Sequence, residues 1–220
     1  METTKNENRN YWGALEEIPE WVQSILQQLD NGVAWTTGIE SDKKLRGESI
    51  NTSVYSTDDE KKLAVVQVRQ CTFHPTRYNK IRKNYFLIGK NENGNAFAHA
   101  VNCTATNAKS VEKILCKIWE CTTKQLKKIK RNGDIAFVPV SKLPAKAIEE
   151  KENNIILRNS HVVYSEKLYR ANDTLYAVGR SKIQHKKRQH KQAKIGKKGV
   201  WRIQLGVRGN CWNFSAPTAD

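Results

Sequence analysis

Nowhere does this chain hold an apolar run near the roughly 18 residues needed to cross a bilayer. No apolar stretch follows the polar start METTKNENRN either, so the expected setting is cytoplasmic, with no membrane span. The five cysteines (Cys71, Cys103, Cys116, Cys121 and Cys211) form no CxxC pair, which excludes a zinc ribbon and a dithiol redox motif. In a reducing compartment they read as buried thiols. GxGxxG and GxxxxGK[ST] loops are missing, and with them the usual cradles for dinucleotides and nucleoside triphosphates. No cofactor and no metal is therefore expected. No motif ties the chain to a known family.

The most informative gap is acidic. Between Arg180 and Arg208 there is no Asp or Glu. The whole chain of 220 residues carries a formal charge of +16, and that charge is unevenly placed. Residues 1–70 hold 8 Lys and Arg against 12 Asp and Glu, residues 71–179 hold 19 against 9, and residues 180–220 hold 11 against 1. A codon bias toward Lys and Asn would spread lysine evenly. Polarised charge instead points to a polyanion, because each cation that meets a phosphate releases condensed counterions.

Six Trp, seven Tyr and five Phe supply packing material, so the composition is that of a folded protein. Residues 1–10 read as disordered. A helix is expected after Pro19, with Trp21, Val22, Ile25, Leu26 and Leu29 on one face and a stop at Asn31-Gly32. Residues 36–62 read as a long polar loop with one short strand near Val54–Tyr55. Strands are expected over Leu63–Cys71, where Val66 and Val68 alternate with Gln67 and Arg69, and over Asn84–Gly89 and Ala96–Val101. The turn Asn91–Gly94 joins the last two as a hairpin. Ser110 caps a helix running to Glu120, and Thr123–Arg131 reads as a second helical piece ended by Asn132-Gly133.

From Asp134 onward short strands follow one another with turns between them. The fold class is α+β: N-terminal helices with a small antiparallel sheet, then a mostly β C-terminal part resembling a small barrel or sandwich. Residues 11–132 and 133–220 are the expected domains.

Three segments could bind nucleic acid. The first is Arg180–Lys198, with nine Lys or Arg in nineteen residues: Arg180, Lys182, Lys186, Lys187, Arg188, Lys191, Lys194, Lys197 and Lys198. A run of like charges repels itself and stays extended until an anion neutralises it. The second is Phe73–Lys83, where Arg77, Lys80, Arg82 and Lys83 are interleaved with Tyr78, a mixture suited to stacked bases and phosphates. The third is the cationic side of Thr123–Arg131, namely Lys124, Lys127, Lys128 and Arg131. Solvated loops and a favourable helix dipole are the plainer readings of each. If the three adjoin, they make one surface. The expected partner is RNA or single-stranded DNA in preference to duplex DNA, because no recognition helix is evident. An acidic protein is the other class of partner.

The sequence leaves open whether the chain is an enzyme. Of the five histidines, His161, His185 and His190 are the weak catalytic candidates, as acid and base of a metal-independent nuclease. His185 and His190 are five apart, which is not a helical metal pair. Ser110-x-x-Lys113 matches a nucleophile–base spacing but reads better as a cap, and Asp134 reads as a turn residue. Trp201 and Trp212 read as core.

Overall fold

The computed structural model describes residues 14–31, 47–73, 80–91, 94–187, 191–196 and 198–209. Residues 1–10 and Trp212 lie outside them. The described residues hold four helices and two antiparallel sheets. Two compact units divide the chain: Met1–Ile114 with Arg208–Ala219, and Leu115–Val207 with Asp220. The expected division near residue 132 falls inside the second unit.

In the first unit, α1 (Glu20–Asn31) begins directly after Pro19, whose carbonyl accepts from the Val22 and Gln23 amides. Its buried stripe of Val22, Ile25 and Leu29 follows the helical period that the sequence shows. A meander of four strands follows: β1 (Gly47–Asp58), β2 (Leu63–Phe73), β3 (Lys80–Lys90) and β4 (Ala96–Val101). The expected long loop over 36–62 is thus corrected, because residues 47–58 are a full strand. Its polar sequence hides this. β1 is an edge strand held by an eleven-residue register against the apolar β2, so its own hydrophobicity decides little. The hairpin from β3 to β4 has the expected turn: the Gly94 amide donates to the Asn91 carbonyl, and Gly94 sits at φ +81°, where glycine is unstrained.

Val54, Ala64, Val66, Val68, Phe86, Ile88 and Ala98 pack with α1 into one core. The reverse face of β2 and β3 is buried as well, at Val65, Gln67, Tyr85 and Leu87. There the Gln67 amide donates to the hydroxyls of Tyr55 (3.2 Å) and Tyr85 (2.6 Å). The short α2 (Ala105–Ala108) adjoins this sheet, where the Ser56 hydroxyl donates to the Ala108 carbonyl at 2.7 Å. The alternation of Val66 and Val68 with Gln67 therefore does not mean a half-exposed strand.

The helix α3 (Val111–Ile118) starts at Ser110, whose hydroxyl accepts from the Lys113 amide, so the cap reading of that serine holds. The division between the units falls within α3. The helices are consequently not all N-terminal, which corrects the expected order: α2, α3 and α4 (Thr123–Leu126) come after the first sheet.

The second unit is built on a sheet in the order β5-β6-β12-β10-β9-β7: β5 (Lys130–Asn132), β6 (Ile135–Val140), β12 (Val200–Leu205), β10 (Thr174–His185), β9 (His161–Ala171) and β7 (Ile148–Glu149). The short β11 (Ala193–Ile195) pairs with the far half of β10, and β8 (Asn154–Leu157) pairs with β9. The long β9–β10 ladder bends at a bulge between Val178 and Ser181, where Gly179 takes φ +85°. A Cβ at Gly179 would collide with the Glu166 side chain.

The expected barrel does not close. β5 and β11 are neighbours at the seam, each only three residues long, and no backbone ladder joins them. A side chain spans the gap: Asn132 Nδ2 donates to the Lys191 carbonyl at 2.6 Å. The core under this sheet is Ile135, Phe137, Val163, Leu168, Ala177, Ile183 and Ile203, with Trp201 partly buried against it.

Thr123–Arg131 is not one helix. A capping box at Thr122 and Gln125 starts α4, but it lasts one turn, and Lys130–Asn132 pairs with Ile135–Phe137 instead. Asn132-Gly133, expected as a helix stop, instead closes that hairpin: Asn132 ends β5 and Gly133-Asp134 makes the turn, with Gly133 at φ +56°.

Candidate nucleic-acid interface

The cations gather in the second unit. Residues 115–207 carry 22 Lys and Arg against 7 Asp and Glu, which is +15 of the chain's +16. Four of those carboxylates are taken up by neighbouring cations. Arg158 pairs with Asp134, Lys167 with Glu149 at 3.3 Å, Arg170 with Glu150 at 2.5 Å, and Arg180 approaches Glu166 at 3.9 Å. Lys124, Lys127, Lys128, Lys186, Lys187 and Lys194 are exposed and make no ion pair with a described carboxylate.

The fold brings two of the three expected segments together. β5, which carries Lys130 and Arg131, lies alongside β11, which carries Lys194, and the bond from Asn132 to the Lys191 carbonyl fixes them. Gln125 donates to the Pro139 carbonyl at 2.8 Å and so ties α4 to β6. Arg180–Lys198 is less an arm than the sequence suggests. Its first half is the end of β10 and its second half includes β11, so Arg180, Lys182 and Lys194 stand on a sheet.

Other expected residues lie elsewhere. Arg77 and Tyr78 are outside the described residues, as are Arg188, His190 and Lys197. Lys80 and Arg82 fall on β3, and Lys83 is exposed on the same strand. They belong to the first unit. Lys198 is exposed, just before β12.

Burial alternates strictly along β10, with Ser181, Ile183 and His185 inward and Arg180, Lys182 and Gln184 outward. Registers then fix a row on the outer face. Lys182 is opposite Lys194 on one side and Tyr164 on the other, and Tyr164 is opposite Asn154. Lys182 Nζ stands 4.5 Å from the centroid of the Tyr164 ring, a cation–π contact. Tyr164 is 40% exposed, and Ile156, in the adjacent row with Val162 and Gln184, is 51% exposed. Tyr176 and Tyr169 face each other farther along, and the Tyr169 hydroxyl donates to Glu149 at 3.1 Å. Sequence reasoning missed these tyrosines. The signal was present, since Tyr164 and Lys182 both sit at the outward parity of their strands, but it needed the register between two strands.

The candidate histidines form a different feature. His161 and His185 are register partners across β9 and β10, their ring centroids 4.8 Å apart and their planes at 77°. His161 is 1% exposed and His185 is 5% exposed. The Ser160 hydroxyl lies 2.9 Å from His161 Nδ1, and Asp134 Oδ1 lies 3.8 Å from the same nitrogen. His185 Nδ1 accepts from the Lys187 amide, which places the proton of its neutral ring on Nε2. Arg158, held at φ +48° in the tight turn before β9, reaches over Asp134 and also contacts the Gly206 carbonyl. Asp134 is therefore more than a turn residue: it is the buried anchor of a polar knot. Both rings are buried at the end of the ladder from which Lys186 and Lys187 emerge.

Cys103, Cys116 and Cys121 are half-buried and outside any disulfide, less enclosed than expected. Burial, with the Cys116 thiol beside it, pushes the Cys121 thiol up to about 11. Among the described residues, no group of three or more His, Cys, Asp or Glu could hold a metal ion, and no helix is long and apolar enough to cross a membrane. Comparison with protein-family models, with curated proteins and with solved structures gave no match.

Proposed function

We propose that this protein binds single-stranded nucleic acid, RNA or DNA, mainly through phosphate contacts made by residues 115–207. The observation that carries this reading is the charge of that unit: 22 cations against 7 carboxylates, with exposed lysines on and just after α4, just past β10 and on β11 that make no ion pair with a described carboxylate. Surface charge of one sign costs self-repulsion and adds nothing to folding, so its concentration on one unit argues for an anionic partner. A phosphate polymer matches it better than an acidic protein, because the lysines are spread over a sheet face and its seam.

Fluorescence anisotropy with labelled RNA, single-stranded DNA and duplex DNA at about 50 mM salt tests the reading. Binding is expected, strongest for single strands, with a steep linear fall of log affinity against log salt. Changing Lys186, Lys187 and Lys194 together to Ser should reduce that slope by about 0.7 for each of them that meets a phosphate. The melting temperature should barely move, since surface changes of this kind usually stay within about 0.5 kcal/mol. No binding to any of the three polymers would end the proposal. A protein partner retained on the bait after nuclease treatment, in place of nucleic acid, would favour the acidic-protein reading.

A further inference from the structure

We infer that the outer face of β8–β11 is a stacking platform on which Tyr164 receives one unpaired nucleobase while Lys182 and Lys194 hold the adjoining phosphate. The inference rests on the nucleic-acid reading above and adds to it a site and a physical reason for the preference for single strands.

Four strands contribute to one row: Asn154 on β8, Tyr164 on β9, Lys182 on β10 and Lys194 on β11. Directly opposed residues of antiparallel strands stand about 5 Å apart, so these side chains are contiguous. Their neighbours Ile155, Val163, Ile183 and Ala193 point the other way into the core, which fixes the row on the outside. Tyr164, 40% exposed in the interior of a sheet, and Ile156 beside it, 51% exposed, put two apolar side chains on this face. The ammonium of Lys182 lies over the ring, and Lys194 stands next to it. Ring, aliphatic neighbour and paired cations on one sheet face match the two parts of a nucleotide: a base to stack and a phosphate to neutralise. Glu166, two residues along β9 from Tyr164, is approached by Arg180 at 3.9 Å.

A stacking station selects single strands. In a duplex each base is already covered above and below, so its face cannot reach Tyr164. Duplex binding then depends on phosphates alone.

The test compares wild type, Tyr164→Ala and Tyr164→Phe, binding one RNA strand alone and the same strand annealed to its complement. Tyr164→Ala should weaken single-strand binding by roughly 5- to 100-fold, the range for removing one base stack. Its salt slope and its duplex affinity should be unchanged, and Tyr164→Phe should keep the wild-type affinity. Strands carrying 5-iodouridine should crosslink to Tyr164 under ultraviolet light. If wild type binds single strands but Tyr164→Ala binds equally well and crosslinks map elsewhere, the platform is wrong while phosphate binding stands. Equal losses for single strand and duplex would make Tyr164 a structural residue and also overturn it. If wild type binds no nucleic acid, both readings fail.

Discussion

The two units use antiparallel sheets differently. In the first, β2 and β3 are buried on both faces, with α1 against Val66, Val68, Phe86 and Ile88, and the reverse side enclosing Val65, Gln67, Tyr85 and Leu87. In the second, β10 alternates inward and outward along its length. Charge follows the same division: residues 1–114 hold 15 cations and 14 carboxylates, residues 115–207 hold 22 and 7. A sheet enclosed on both sides has only edges and turns left for a ligand. The second sheet is likewise buried on both faces at β6, but along β9 and β10 its outer face presents a regular array of side chains, spaced by the backbone itself. Under the proposed function, the first unit is packed scaffold and the second carries the recognition surface.

The largest effects should come from breaking each core in turn. Phe86 and Phe137 are fully buried in separate clusters, so replacing either with Ala should cost about 3–5 kcal/mol. Native-state hydrogen exchange should show Phe86→Ala loosening the β2–β3 amides and Phe137→Ala loosening the β6–β12 amides. If Phe137→Ala freed the β2–β3 amides as much as its own, the two cores would belong to one cooperative body.

The next effect sharpens the contrast within the second unit. Arg158→Ala would strand Asp134, whose side chain is 6% exposed, without its cation. Removing one partner of a buried pair costs about 3–5 kcal/mol, and the lower end applies here because the Arg158 side chain is 35% exposed. Urea unfolding of Arg158→Ala measures this, and Asp134→Asn added to it should recover part of the loss. An unchanged urea midpoint would mean that the knot around His161 does not order this end of the ladder.

How much of this could be read in the sequence depended on whether the signal was local. The helix after Pro19, the Ser110 cap and the Asn91–Gly94 turn were legible because each is set by residues within a few positions. β1 was not, because its polar sequence becomes a strand only by pairing with β2. Thr123–Arg131 misled for a related reason. Leu126 and Ile129 sit at helical spacing, but Lys130–Asn132 finds a ladder on β6, and tertiary pairing outweighs three residues of propensity. The open barrel was hidden too, since a seam bridged by one asparagine leaves no pattern. At the candidate site, charge density was plain in the sequence, whereas the Tyr164–Lys182–Lys194 row needed two registers that no single strand encodes.

The smallest effect distinguishes the units by alkaline pH. In the second unit burial raises the Cys121 thiol from 9.0 to about 11. In the first, burial raises Tyr55 and Tyr85 above their ordinary 10.0, against the lowering effect of their bonds from Gln67. A raised pKa means that the folded chain holds its proton where the unfolded chain has lost it, so stability falls as pH rises. Well below pH 9.0 the thiol is protonated in both states and contributes no slope; between 9.0 and about 11 the second unit should lose stability, while the loss from the tyrosines of the first begins only near 10.0. Hydrogen exchange, corrected for its intrinsic pH dependence, should show the amides of β6 and β12 losing protection before those of β2 and β3. Cys121→Ser should remove the early loss and leave the later one. If the serine variant declines as steeply as wild type from pH 9.0, the thiol is not the group that divides the two units.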